Sequence, residues 1–246
     1  MTSGNAIIIL FRPRTGSSLL AQTLRLLGKP VLVSHETDTP IEANPKGFLD
    51  IQEIRDQGLT PEIRRKYSGQ LGHSAYKILL KPFSNEESDH WHWLRETSPI
   101  LFLTYRHPLE QILSHHAIFR KEKSGTKEFF IHITQSLKNW ETTFRQFSSA
   151  IQKKCPELCS NIHLMNYRDA IEDTQMFVNK VAAVSGLKPT PSQFKAAYDN
   201  VDMSLYRFNY SHIKSQYKSW YAKFPCSDIY EHLKEDPKAI WEYEVE

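Results

Sequence analysis

Five short apolar runs, at residues 6–11, 31–34, 76–80, 100–105 and 162–166, recur along the chain, and most are separated by stretches with helical periodicity. Runs of that length and continuity suit strands covered on both faces, and their alternation with helices argues for a parallel sheet flanked by helices. The helical stretches carry their own punctuation. Thr60-Pro61 supplies a cap followed by proline at the first helical position, and Ser84 with Glu87 and Thr190 with Gln193 fit capping boxes. Gly186 suits the stop of a helix running from about residue 170. Between residues 128 and 154, Phe130, Ile133, Leu137, Trp140, Phe144 and Phe147 recur at spacings of three and four, which predicts one long helix with an aromatic core-facing stripe. The chain after Leu187 shows no strand alternation and reads as helical and irregular.

With 246 residues there is enough chain for one sizeable core, and no linker-like tract or repeat divides it, so a single domain over 1–246 is expected. The net charge of +3 is too small to call for a nucleic-acid or membrane surface, though a local pocket for a small anion is compatible with it. Cys155, Cys159 and Cys226 are an odd and sparse set, which excludes a disulfide framework and suggests a reducing cytoplasm. The apolar run at 6–11 is too short for a membrane span or a signal-peptide core, so a soluble protein is expected.

Two stretches carry chemistry. In "AIIILFRPRTGSSLL" a strand runs into a glycine turn and then into a helix, so backbone N–H groups and the helix dipole face whatever lies at the turn. Gly16 permits close approach, Ser17 and Ser18 add hydroxyls, and Arg14 adds a full positive charge. A Walker A loop would need glycine at Phe11 and lysine at Ser17, so a nucleoside triphosphate is disfavoured. In "PILFLTYRHPLEQILSHH" a second strand delivers Arg106 at its carboxyl end, and Pro108 starts a helix carrying Ser114. Ligands of open α/β sheets sit outside the carboxyl ends of the strands, where both stretches would meet.

Together these stretches resemble the sulfotransferases that use 3′-phosphoadenosine 5′-phosphosulfate (PAPS). "RPRTGSS" is similar to their 5′-phosphosulfate loop, and "YRHPLEQILSHH" to their 3′-phosphate motif, an arginine followed eight residues later by a serine. "EANPKGFLDIQEI" resembles the N-P-x-G-F/Y-x-E segment of bacterial members, and "IHLMNYRDAIED" their Y-E-D-L element, with Arg168 in place of its acidic residue. The resemblance implies a three-layer α/β fold with a central parallel sheet of about five strands. It implies that Arg14 neutralises the leaving phosphate, that Thr15, Gly16, Ser17 and Ser18 cradle the 5′-phosphate, and that Arg106 and Ser114 hold the 3′-phosphate. Arg207, in "DMSLYRFNY", matches an L-x-R element of bacterial relatives and is expected near the nucleotide.

Sulfuryl transfer also needs a base for the acceptor's proton. Glu36, followed by Thr37 as in protein-tyrosine sulfotransferases, and His35, which titrates near neutral pH, are the two candidates, with Asp50 and Glu42 behind them. No metal is expected: His90 and His92 are two apart and His115 and His116 adjacent, so neither pair shares a helix face, although the latter pair is placed to border an acceptor pocket. The acceptor is expected to be a small molecule, lipid or glycan hydroxyl, chosen by residues 34–50 and 120–128, with PAP as the second product. A nucleotide or metabolite kinase with an atypical phosphate loop, and a catalytically degenerate PAP-binding module, remain the alternatives. The sequence does not fix the oligomeric state.

Overall fold

The computed structural model describes residues 5–34, 47–84, 90–119, 126–202, 206 and 208–236. Four strands, β1 (Ile7–Phe11), β2 (Ala75–Leu79), β3 (Ile100–Tyr105) and β4 (Ile162–Asn166), form a parallel sheet in the order β2-β1-β3-β4. The first strand is central, and every one of its residues is buried.

Among the described residues the apolar run at 31–34 contributes one bridge instead of a strand. Val31 pairs in parallel with Ala75, where Ala75 N donates to the Pro30 carbonyl at 2.7 Å and Leu32 N to the Ala75 carbonyl at 2.8 Å. Three residues on, Ser34 N donates to the Asp50 carbonyl at 3.0 Å. The backbone is thus drawn off the sheet edge to the segment bearing Asp50, and the sheet of the described residues has four strands rather than about five.

Helix α1 (Ser17–Leu26) follows β1; α2 (Gln52–Gln57), α3 (Pro61–Lys66) and α4 (Ser68–Leu71) precede β2; and α5 (His90–Thr97) precedes β3. Between β3 and β4 lie α6 (Pro108–Phe119) and the 28-residue α7 (Lys127–Lys154). After β4 come α8 (Tyr167–Glu172), α9 (Thr174–Val184), α10 (Pro191–Asp199), α11 (Ser215–Tyr221) and α12 (Cys226–Glu235). The stripe of α7 is buried from Ile133 to Phe147 as its spacing requires, but Phe129 rather than Phe130 fills the first turn. Thr60 caps α3 by accepting from Ile63 N at 3.3 Å, and Thr190 and Gln193 form the reciprocal box of α10. Glu87 lies outside the described residues. The single helix expected from residue 170 is two: the Asp173 carboxylate accepts from Met176 N at 2.9 Å and restarts the chain as α9.

Strand alternation divides the core. Ile8, Leu10, Leu101 and Leu103 pack among residues of α5, α7 and α12, whereas Ile7, Ile9 and Phe102 pack among those of α1, α9 and α10. Helices therefore cover both faces, and the carboxyl ends of β1, β2 and β3 are left facing one side. Among the described residues no helix is long and apolar enough to cross a membrane.

Candidate active site

The turn after β1 is conformationally unusual at two positions. Gly16, the residue before α1, has φ 87°, and Arg14 has φ 70°, a left-handed conformation rare for a side chain of that size. Having no side chain, Gly16 leaves the first amides of α1 to a ligand. It also lets the Tyr167 ring lie directly against the backbone, where a β-carbon would run into the ring carbons. Strain at a left-handed non-glycine costs about 1–3 kcal/mol, and displacement of Tyr167 adds to it. Gly16→Ala is accordingly expected to lower the urea midpoint of unfolding.

Thr15 is turned inward. Its hydroxyl donates to the Arg12 carbonyl at 2.8 Å and lies 2.8 Å from the Thr104 hydroxyl, which ties the turn to β3 and turns the side chain away from the cavity. Ser17 and Ser18 open α1 and line the cavity beside it.

The second motif meets the first. Arg14 Nε donates to the Ser114 hydroxyl at 3.1 Å across one hundred residues of sequence. Arg106, directly after β3, is buried and packs against the rings of Tyr167 and Tyr206, its guanidinium carbon 4.8 and 5.0 Å from the two centroids. Its Nε donates to Glu110 at 3.0 Å, and a terminal nitrogen donates to the Phe208 carbonyl at 2.6 Å. Glu110 in turn accepts from the Tyr206 hydroxyl and from Tyr210 N. So the expected phosphate grip is also one half of a buried ion pair that fastens the segment around residues 206–210 to α6.

Arg14, Gly16, Ser17, Ser18, Arg106 and Tyr167 share a cavity of about 490 Å³. Its lining also holds a residue that no local motif flags. Lys77, in the middle of β2 and with its side chain 1% exposed, donates to the Phe48 carbonyl at 2.6 Å and to Ser18 Oγ and Asp50 Oδ2, each at 3.2 Å. Burial pulls its ammonium down to a pKa of about 8, against the opposing pull of Asp50. The only signal in the sequence is a lysine inside an apolar strand, whose cost requires a partner; the partner is set by tertiary packing. Asp50, held by Lys77 and 3.5 Å from Arg55, is thereby an ion-pair anchor. Tyr167 was legible only as part of the late strand motif, and Glu110 as the i+4 neighbour of Arg106.

His35, Glu36, Glu42 and Arg207 lie outside the described residues. His115 lines the cavity, while its neighbour His116 is buried edge-on to Phe129, 4.9 Å between ring centres. His90 Nε2 is 3.2 Å from the Gln57 carbonyl, and His92 pairs with Glu96 on the surface. Among the described residues no three His, Cys, Asp or Glu side chains are grouped to hold a metal ion.

No protein-family model and no curated protein sequence matches the chain. Solved structures do. The mouse sulfotransferase SULT7A1 complexed with PAP superposes with a TM-score of 0.59 at 13% identity, covering 94% of this chain and 89% of its own. The sulfotransferase STF9 from Mycobacterium avium gives 0.50 at 12% identity, covering 92% of this chain and 78% of its own. At such identities the likeness is one of architecture, and it extends over nearly the whole chain: this protein has the sulfotransferase fold.

Proposed function

We propose that the chain is a PAPS-dependent sulfotransferase that moves a sulfuryl group to an acceptor hydroxyl by in-line displacement and releases PAP. The observation that carries this reading is that Arg14 and Arg106, one from each motif, line one cavity, with Ser114, outside its lining, joined to Arg14 at 3.1 Å. The donor set fits an anionic nucleotide: helix amides behind Gly16, serine hydroxyls at the start of α1, and two arginines. PAP in the complex of the mouse relative supports the choice of nucleotide. PAPS supplies an activated sulfuryl group whose transfer leaves charge on the departing phosphate.

The residues of this chain provide positions for that charge. Arg14 stands at the turn before α1 to neutralise the leaving phosphate, and the start of α1 orients the 5′-end. Arg106 and Ser114 select the 3′-phosphate. Lys77, 3.2 Å from Ser18 Oγ, supplies a second cation beside the start of α1. Glu36 and His35 remain the proposed bases for a small-molecule, lipid or glycan hydroxyl. Cys155, Cys159 and Cys226 are free thiols, in keeping with a cytoplasmic protein.

Lys77 makes a pH prediction. Its ammonium is charged below a pKa of about 8 and neutral above it, so kcat/KM is expected to fall as pH rises through that value. The inflection should vanish in Lys77→Met. A profile flat from pH 7 to pH 9 in the native protein would remove Lys77 from the reaction.

Isothermal titration with PAP and with ADP tests the proposal as a whole. PAP should bind in the presence of a chelator, and ADP weakly or not at all. Tighter binding of ADP, dependent on magnesium, would replace the sulfotransferase reading with a kinase.

A further inference from the structure

The strained turn that carries Arg14 is held from behind by a side chain outside the cavity. Gln111, on α6 and 4% exposed, donates from Nε2 to the Pro13 carbonyl at 2.8 Å, and its Oε1 accepts from Trp140 Nε1 at 3.0 Å. The indole of Trp140, on α7, is fully buried. An indole N–H can only donate, so it fixes which end of the Gln111 amide is oxygen and leaves the nitrogen aimed at Pro13. The Pro13 carbonyl belongs to the peptide unit that enters Arg14, so anchoring it fixes the plane about which the Arg14 φ of 70° is measured. Beyond Arg14, Thr15 is pinned to Thr104. Arg12, before it, donates to the Asn139 carbonyl at 3.0 Å, next to Trp140. Left-handed residues with side chains persist only where their surroundings over-determine them, and here both flanks are tied down.

We infer that Gln111, oriented by Trp140, is a positioning residue for the transfer step: it holds Arg14 in the left-handed conformation that directs its guanidinium to Ser114 and the cavity. Neither Gln111 nor Trp140 lines the cavity, so both act through Arg14. Gln111→Met keeps the approximate length and removes both hydrogen bonds. The peptide before Arg14 is then free to turn, and the arginine relaxes to negative φ.

This inference rests on the sulfotransferase reading, and the experiment separates the two. PAP titration of the native protein tests the reading itself. For Gln111→Met, kcat for PAP release is expected to fall about 100-fold, the scale of a misplacement of about 1 Å, while PAP affinity stays near native. On an Arg14→Ala background Gln111→Met should cost nothing more, because its effect passes through Arg14. An equal fall in both backgrounds, or none in either, overturns the assignment. Trp140→Phe, which keeps an aromatic side chain but removes the indole N–H and so frees the Gln111 amide to flip, should give a smaller fall with the same dependence on Arg14, and decides the matter if Gln111→Met does not fold. If the native protein binds no PAP, the crystal structure of Gln111→Met still decides: Arg14 at negative φ supports the role, and Arg14 near 70° refutes it.

Discussion

Arg14→Ala is expected to lower the rate of PAP release from PAPS by about 10²–10³-fold, the usual loss when one preorganised donor to developing charge is removed. PAP affinity should fall much less, because Ser17, Ser18, the α1 amides and Arg106 remain at the cavity proposed to hold the nucleotide. The asymmetry follows from where the charge appears: an interaction that strengthens only as the sulfuryl group departs lowers kcat and leaves ground-state binding largely intact. Single-turnover release of PAP with a panel of hydroxyl acceptors, beside calorimetry with PAP, measures both quantities. A loss of PAP affinity as large as the loss of rate would make Arg14 a binding residue instead.

Arg106→Ala should produce the second large effect, and it has two parts that can be separated. The Arg106–Glu110 pair is almost wholly inaccessible, at 5% and 2% side-chain exposure. Removing one partner from such a pair costs about 3–5 kcal/mol of stability, because the other charge remains buried without it. Loss of a charge-assisted phosphate contact costs a further 1.5–3 kcal/mol or so of PAP binding. In Arg106→Leu with Glu110→Leu, part of the stability should return, since no buried charge is left uncompensated, whereas PAP affinity should not. Urea unfolding and calorimetry on the single and double variants read the two parts independently. Recovery of PAP affinity in the double variant would show that Arg106 serves the fold alone.

Local pattern made part of this site readable in advance. A strand, a glycine turn and a helix in succession dictate an anion seat, and Gly16 fills it because the chain needs φ 87° there. The positions of Arg106 at a strand end and Ser114 on the following helix were legible locally, whereas a phosphate-holding role for them came only from the resemblance. The long helix α7, the cap at Thr60 and the box at Thr190 are likewise properties of a few neighbouring residues. Where the local reading fell short, a distant group intervened. Residues 31–34 have a strand's composition, yet the Asp50 carbonyl competes for Ser34 N and the pairing ends at one bridge.

The sequence by itself determined the parallel α/β architecture and the strand–turn–helix that carries Arg14 and Gly16, because each depends on periodicity or on residues a few positions apart. Tertiary structure decided everything that depends on strand order and helix docking. Only with β1 between β2 and β3 do Lys77 and Arg106 stand on opposite sides of the same turn. Only with α6 against that turn does Ser114 receive Arg14 and Gln111 hold Pro13, both about one hundred residues away in the chain. Such contacts leave no periodic trace in sequence, since their partners are chosen by packing in three dimensions.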